Sequence, residues 1–209
     1  ASKNEDFLEL KSELYIMREV YSVRRENGKW NLLKSNGSFV SKNEDFLQIS
    51  DFITYKMKKG VNNMTLVERC NGYYNFLGTD GTLLDQNSDF ISVQYAFSPA
   101  YSEKTKEVRE ILEVIKSDHT VNLLKSDGSY ISPNEDFLEV GNINYNFMVV
   151  IVKRKNGLYN FLRFDGTLVS PNEDFLDSDI IFRKSKVRVR RKASGKYNYL
   201  KIDGTFKYK

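Results

Sequence analysis

One short block recurs five times along this chain, so the fold must be built five times over. The block is clearest at Tyr159-Asn160-Phe161-Leu162-Arg163-Phe164-Asp165-Gly166-Thr167 and returns as Tyr197-Asn198-Tyr199-Leu200-Lys201-Ile202-Asp203-Gly204-Thr205. Further copies start at Trp30, Tyr74 and Val121. The anchor asparagines are Asn31, Asn75, Asn122, Asn160 and Asn198, separated by 44, 47, 38 and 38 residues. Six residues after each stands a glycine (Gly37, Gly81, Gly128, Gly166, Gly204), preceded by Asn or Asp and followed by Ser or Thr.

A second block, Asn-x-Asp-Phe, follows four of these glycines: Asn43 to Phe46, Asn87 to Phe90, Asn134 to Phe137 and Asn172 to Phe175. A fifth copy, Asn4-Glu5-Asp6-Phe7, opens the chain, while the last hairpin, at Gly204, has none after it. The ends are therefore complementary halves of one unit. Five units follow, approximately 2–40, 41–85, 86–131, 132–169 and 170–209, in circularly shifted register within a single repeat domain of residues 1–209.

Each unit reads as β. Asp-Gly or Asn-Gly between alternating apolar residues is a hairpin signal, and a type I′ turn is expected there. A second turn, as at Asn27-Gly28 and Asn156-Gly157, precedes each anchor strand, and a β-branched run such as Val149-Val150-Ile151-Val152 leads into it. A meander of three strands results, with a short fourth expected after the Phe, as at Phe137 to Val140. Residues 102–116 have helical spacing at first and align with strand at their end. They read as an insertion with one helical turn, and a smaller insertion lies around 58–63. A unit of this size cannot bury both faces alone. Radial stacking gives a β-propeller, and complementary ends suit closure. The expected fold class is all-β, five three- to four-stranded antiparallel meanders in a closed five-bladed β-propeller whose first unit is split between the termini.

The quartets Gly28-Lys29-Trp30-Asn31 and Gly195-Lys196-Tyr197-Asn198, followed by Gly157-Leu158-Tyr159-Asn160 and Gly72-Tyr73-Tyr74-Asn75, carry a family resemblance. With the Asp-Gly that follows, they resemble the WG (KWG) repeat of bacterial and phage proteins, over essentially the whole chain. Asn replaces the family's second Gly throughout, and Trp survives once. The resemblance implies a β-repeat interaction module, of the kind seen in gut bacteria and their phages, with no shared catalytic residue.

Composition narrows the chemistry. One Cys makes no internal disulfide, and one Cys with one His makes no Cys/His zinc site. No apolar run nears the ~18 residues of a membrane span, and no signal-peptide pattern is read at Ala1. No metal, cofactor or catalytic residue is expected, and no compartment is assigned; a single Cys suits cytoplasm or virion. The five Phe and five Leu of the repeat are expected in the core. The anchor asparagines are read as bonding backbone between units, and the acidic triplets as capped turns.

The candidate binding residues are cationic. One set recurs six residues before each anchor Asn: Arg25, Arg69, Lys116, Arg154 and Lys192. The other set breaks the repeat: residues 183–192 hold seven basic residues and no acid, with Arg188, Arg190 and Arg191 at its centre. The function expected is a non-enzymatic binding module for a protein or glycan partner. Two alternatives are a phage structural or anti-host protein docking on a larger assembly, and an anion or nucleic-acid binder acting through the basic strand. No membrane partner is expected, and the sequence fixes no oligomeric state.

Overall fold

The computed structural model describes residues 6–13, 20–55, 64–86, 88–97, 111–125, 128–144, 146–179, 183 and 185–208. The two expected insertions, at 58–63 and before Ile111, lie outside the described residues. The chain divides into two compact units, residues 1–93 with 126–128, and residues 94–125 with 129–209.

Every described element is a β-strand, three to a repeat. Repeat one holds β1 (Phe7–Glu13), β2 (Val20–Arg25) and β3 (Trp30–Lys34). Repeat two holds β4 (Gln48–Tyr55), β5 (Met64–Glu68) and β6 (Tyr74–Gly78). Repeat three holds β7 (Phe90–Phe97), β8 (Ile111–Lys116) and β9 (Val121–Leu124). Repeat four holds β10 (Glu139–Asn144), β11 (Val149–Lys153) and β12 (Tyr159–Arg163). Repeat five holds β13 (Phe175–Ser178), β14 (Lys186–Arg191) and β15 (Tyr197–Lys201). These fall into three antiparallel sheets in chain order, β1 to β3, β4 to β9 and β10 to β15, and no sheet closes on itself among the described residues.

The strand after each Phe, expected to be a short addition, is the full outer strand of the meander. The segment after each Asp-Gly hairpin shrinks instead to one bridge, such as Leu162 to Leu168. The chain is needed elsewhere: Val169 N–H still bonds the Phe161 carbonyl at 2.7 Å, and from there the backbone crosses to the next repeat. Consecutive repeats are joined through the Phe of the Asn-x-Asp-Phe segment, the strap that leads from one repeat into the next. Phe46 exchanges both backbone bonds with Trp30, and Phe137 does so with Val121. Tyr74 with Phe90 and Tyr159 with Phe175 are the same join.

The hairpins are not type I′. A type I′ turn needs φ > 0 at both central residues. Apart from glycines, only His119, Met148 and Ser185 have positive φ among the described residues. The Asp-Gly hairpin is instead a three-residue loop with glycine last, as in Gly166 N–H to Arg163 O at 3.0 Å and Arg163 N–H to Thr167 O at 2.8 Å. This is a tight turn closed by a glycine bulge. The Asp before the glycine then has a task of its own. Asp165 Oδ1 accepts from Thr167 N–H at 2.9 Å and from its hydroxyl at 2.7 Å. Hence Asp-Gly-Thr recurs. In repeat three His119, at φ 63°, takes the glycine's place in the first turn, and Asp118 caps Thr120 in the same way.

The core lies between repeats as much as within them. Repeats one, three and four each present a forward face to the next. In repeat one this is Val20, Leu32 and Val40, packed on Phe46, Val67 and Leu77 of repeat two. Ile111, Leu123 and Ile131 of repeat three pack on Val150, Val152 and Leu162 of repeat four. Val149, Phe161 and Val169 of repeat four pack on Val187, Val189 and Leu200 of repeat five. All nine forward residues are at most 5% exposed. Repeat five breaks the rule: the same three places hold Lys186, Tyr199 and Lys207, and none of them is buried.

Candidate functional site

The recurring polar residues meet in one node at each strap. Asn160, buried in mid-strand, donates from Nδ2 to the carbonyls of Ser170 (2.8 Å) and Glu173 (3.3 Å) and to the Asp174 carboxylate (2.7 Å). Its Oδ1 accepts the N–H of Phe161 at 2.8 Å. Asn31, Asn75 and Asn122 bind Asp45, Asp89 and Asp136 at 2.7, 2.8 and 2.8 Å, with the same backbone partners. Asparagine is disfavoured in strands, but here both ends of its amide are used and nothing is left dry. The expected backbone bonding is found, directed at the segment that leads into the next repeat.

The same aspartates hold the recurring cations. Arg25 binds Asp45, Arg69 binds Asp89, Lys116 binds Asp136 and Arg154 binds Asp174, all between 2.7 and 3.0 Å. The arginine also reaches back to the strap before it: Arg69 Nε binds Glu44 at 3.0 Å, and Arg154 Nε binds Glu135 at 2.8 Å. Two successive straps are thus tied to one guanidinium. Arg25 further lies 4.6 Å from the Phe39 ring, and Lys116 lies 4.4 Å from that of Tyr130.

The electrostatics follow. Burial would raise the carboxyls of Asp45, Asp89 and Asp174. Hydrogen bonds from the anchor Asn, the turn Asn and the Arg outweigh it and hold all three below the ordinary aspartate value. Arg69 is raised by its bonds to Glu44 and Asp89, and Arg154 by its bond to Glu135 ahead of that to Asp174.

In repeat five the spacing rule picks Lys192, but the structure places Arg191 in the equivalent position. The turn there is one residue longer: Gly195 N–H bonds Arg191 O four residues back, against three in the other repeats. Arg191 holds Glu173 through Nε and Nη2 at 2.7–3.2 Å and lies 4.3 Å from the Phe206 ring. Lys192 is exposed beside a shallow depression lined also by Asn156, Asn172 and Asp174. Arg188 is exposed, 4.8 Å from the Tyr197 ring and 3.3 Å from Asp179. Arg190 is half-buried.

Aromatic residues stand around these cations. Lys186 lies 5.2 Å from the Tyr199 ring, and Lys207 lies 4.5 Å from that of Tyr208. Tyr197 is 51% and Tyr208 53% exposed. The signal was present: the residues at Asn198 +1 and +9 are polar or phenolic only in this repeat. It was missed because the forward face had not been recognised.

No known family's sequence profile matches the chain, and no curated protein matches it. Several solved structures resemble it weakly. The computationally designed Ika8 protein is 13% identical with a TM-score of 0.33, over 95% of this chain and 59% of that one. The WD40 β-propeller domain of Doa1 is 9% identical with a TM-score of 0.30, over 98% and 68%. BamB from Moraxella catarrhalis is 13% identical with a TM-score of 0.27, over 90% and 60%. The chain thus spans less than two thirds of the length of Ika8 and of BamB.

Proposed function

We propose that this chain is a non-enzymatic interaction module of propeller-type repeats that binds an acidic protein surface through repeat five. The observation that carries this is the replacement of an apolar forward face by Lys186, Tyr199 and Lys207, flanked by Arg188 and Tyr197. Repeats one, three and four use that face for packing; here it is partly exposed, cationic and aromatic. Arginine and lysine beside exposed rings suit an anionic partner with some desolvated contact. The carboxylates of the straps, by contrast, are consumed as ion-pair partners, so they serve the joints between repeats and not acid–base chemistry.

Of the expected binding residues, Arg188, Arg190 and Arg191 belong to this reading. Arg25, Arg69, Lys116 and Arg154 hold straps, and their guanidinium or ammonium groups are already spent on carboxylates. The test titrates the full chain with poly-L-glutamate, with an oligodeoxythymidine and on a glycan array. We expect saturable binding to poly-L-glutamate that weakens from 50 to 300 mM salt (roughly, across the range where the Debye length shrinks through 8 Å). We also expect it to weaken in the triple variant Arg188→Ser, Arg190→Ser, Arg191→Ser. Preference for the oligonucleotide would transfer the reading to nucleic acid, and a glycan hit insensitive to salt would transfer it to carbohydrate.

A further inference from the structure

We propose that repeat five carries an open peptide socket, made by Arg191, Asn198 and the backbone edge of β15 at Tyr197, which no described strand pairs. Its occupant is an extended acidic segment of the type Asn-Glu-Asp-Phe presented by another protein. This rests on the interaction reading above and names what that partner must look like.

The ligand is defined by the filled copies. In four nodes the anchor Asn and the cation grip the aspartate of a strap, and the following Phe pairs with the residue before the Asn. In repeat five half of this set is in place. Asn198 Nδ2 donates to Tyr208 O at 2.7 Å, the counterpart of Ser170 O, and Oδ1 accepts from Tyr199 N–H at 2.7 Å. Arg191 is locked by Glu173, as Arg154 is by Glu135. Among the described residues, however, Asn198 meets no carboxylate. Nor does Arg191 Nη1, the atom that in Arg69 and Arg154 takes the aspartate of the following strap. Among the described residues no Phe pairs with Tyr197, whose strand partner is Arg190. The donors are therefore aimed and held, and the acceptor is what is missing. Strand addition with an anchored side chain is an established mode of peptide capture.

The surroundings select a foreign acidic strand over another repeat of this kind. A repeat stacking here would set its apolar back face against the ammonium groups of Lys186 and Lys207, which is costly. An acidic segment meets those charges favourably.

The probe is the chain's own strap as a labelled peptide, Ser-Pro-Asn-Glu-Asp-Phe-Leu, titrated into the full chain by fluorescence anisotropy. The expected result is saturable binding that falls at least tenfold when the peptide's Asp is changed to Asn, and likewise in Asn198→Leu. The peptide change leaves the protein untouched, so it decides the matter even if that variant misfolds. No binding to the wild type would overturn the proposal. Binding that appears only in Asp6→Asn would also overturn it, by showing that the chain's own first strap fills the socket. The interaction reading survives either result if poly-L-glutamate binding keeps its dependence on salt and on the three arginines.

Discussion

At the scale of single residues, two kinds of hairpin glycine look alike and differ in energy. Gly157 and Gly166 both have positive φ, but a Cβ on Gly157 would meet nothing within 4 Å. On Gly166 it would lie 2.6 Å from the Ile131 carbonyl of the preceding repeat. Gly157→Ala should therefore cost only the left-handed strain, about 1–2 kcal/mol. Gly166→Ala should cost at least about twice that, since backbone must also move; urea denaturation of the two variants measures the difference. The aspartates predict an acid limb. Asp45, Asp89 and Asp174 hold their protons less readily folded than unfolded, so their stabilisation is complete above the ordinary value of 3.8. It is lost as pH falls from there through their lower folded values. Thermal melts between pH 6 and 2.5 should show this limb, and Asp174→Asn should make it shallower. Much of this was legible from residue types: Asp-Gly-Thr announced a turn, and recurring Asn announced a backbone role. The cation's partner was legible too, as the Asp of a nearby acidic triplet in an exposed ion pair; the structure pairs them so but half-buries them. Arg191 was hidden behind Lys192 because counting residues cannot see a turn lengthened by one.

At the scale of elements, strands and their order were readable from alternation and from glycine. The weight given to each was not. Outer strands such as β10 bury no residue fully, so periodicity alone under-reported them. The post-hairpin segment has the apolar residues of a strand, but spends them on the neighbouring repeat. The forward face was invisible because its three residues come from three separate segments, and only packing shows them as one surface. This makes equivalent positions unequal. Phe161, buried between repeats four and five, should cost about 3–5 kcal/mol on change to Ala. Tyr199, its counterpart on the partly exposed face, should cost about 1 kcal/mol or less. Chemical denaturation of the pair checks this, and similar losses would mean that the face of repeat five is covered.

At the scale of the whole molecule, each described strap ties one repeat to the next by the same three devices: a backbone pair at Phe, an Asn–Asp bond and a cation. Stability in such a chain is largely a sum over neighbours, and among the described residues the set is incomplete in repeat five. The most direct measurement compares Asn160→Ala with Asn198→Ala by equilibrium denaturation. The first removes a bond to Asp174 and strands the buried Ser170 carbonyl, each such loss being worth about 1–3 kcal/mol. The second removes only the contacts to Tyr208 and to its own strand. The account predicts that Asn160→Ala is the more destabilising by at least about 1.5 kcal/mol. Equal losses at the two positions would contradict it, since they require the node of repeat five to be as fully occupied as that of repeat four.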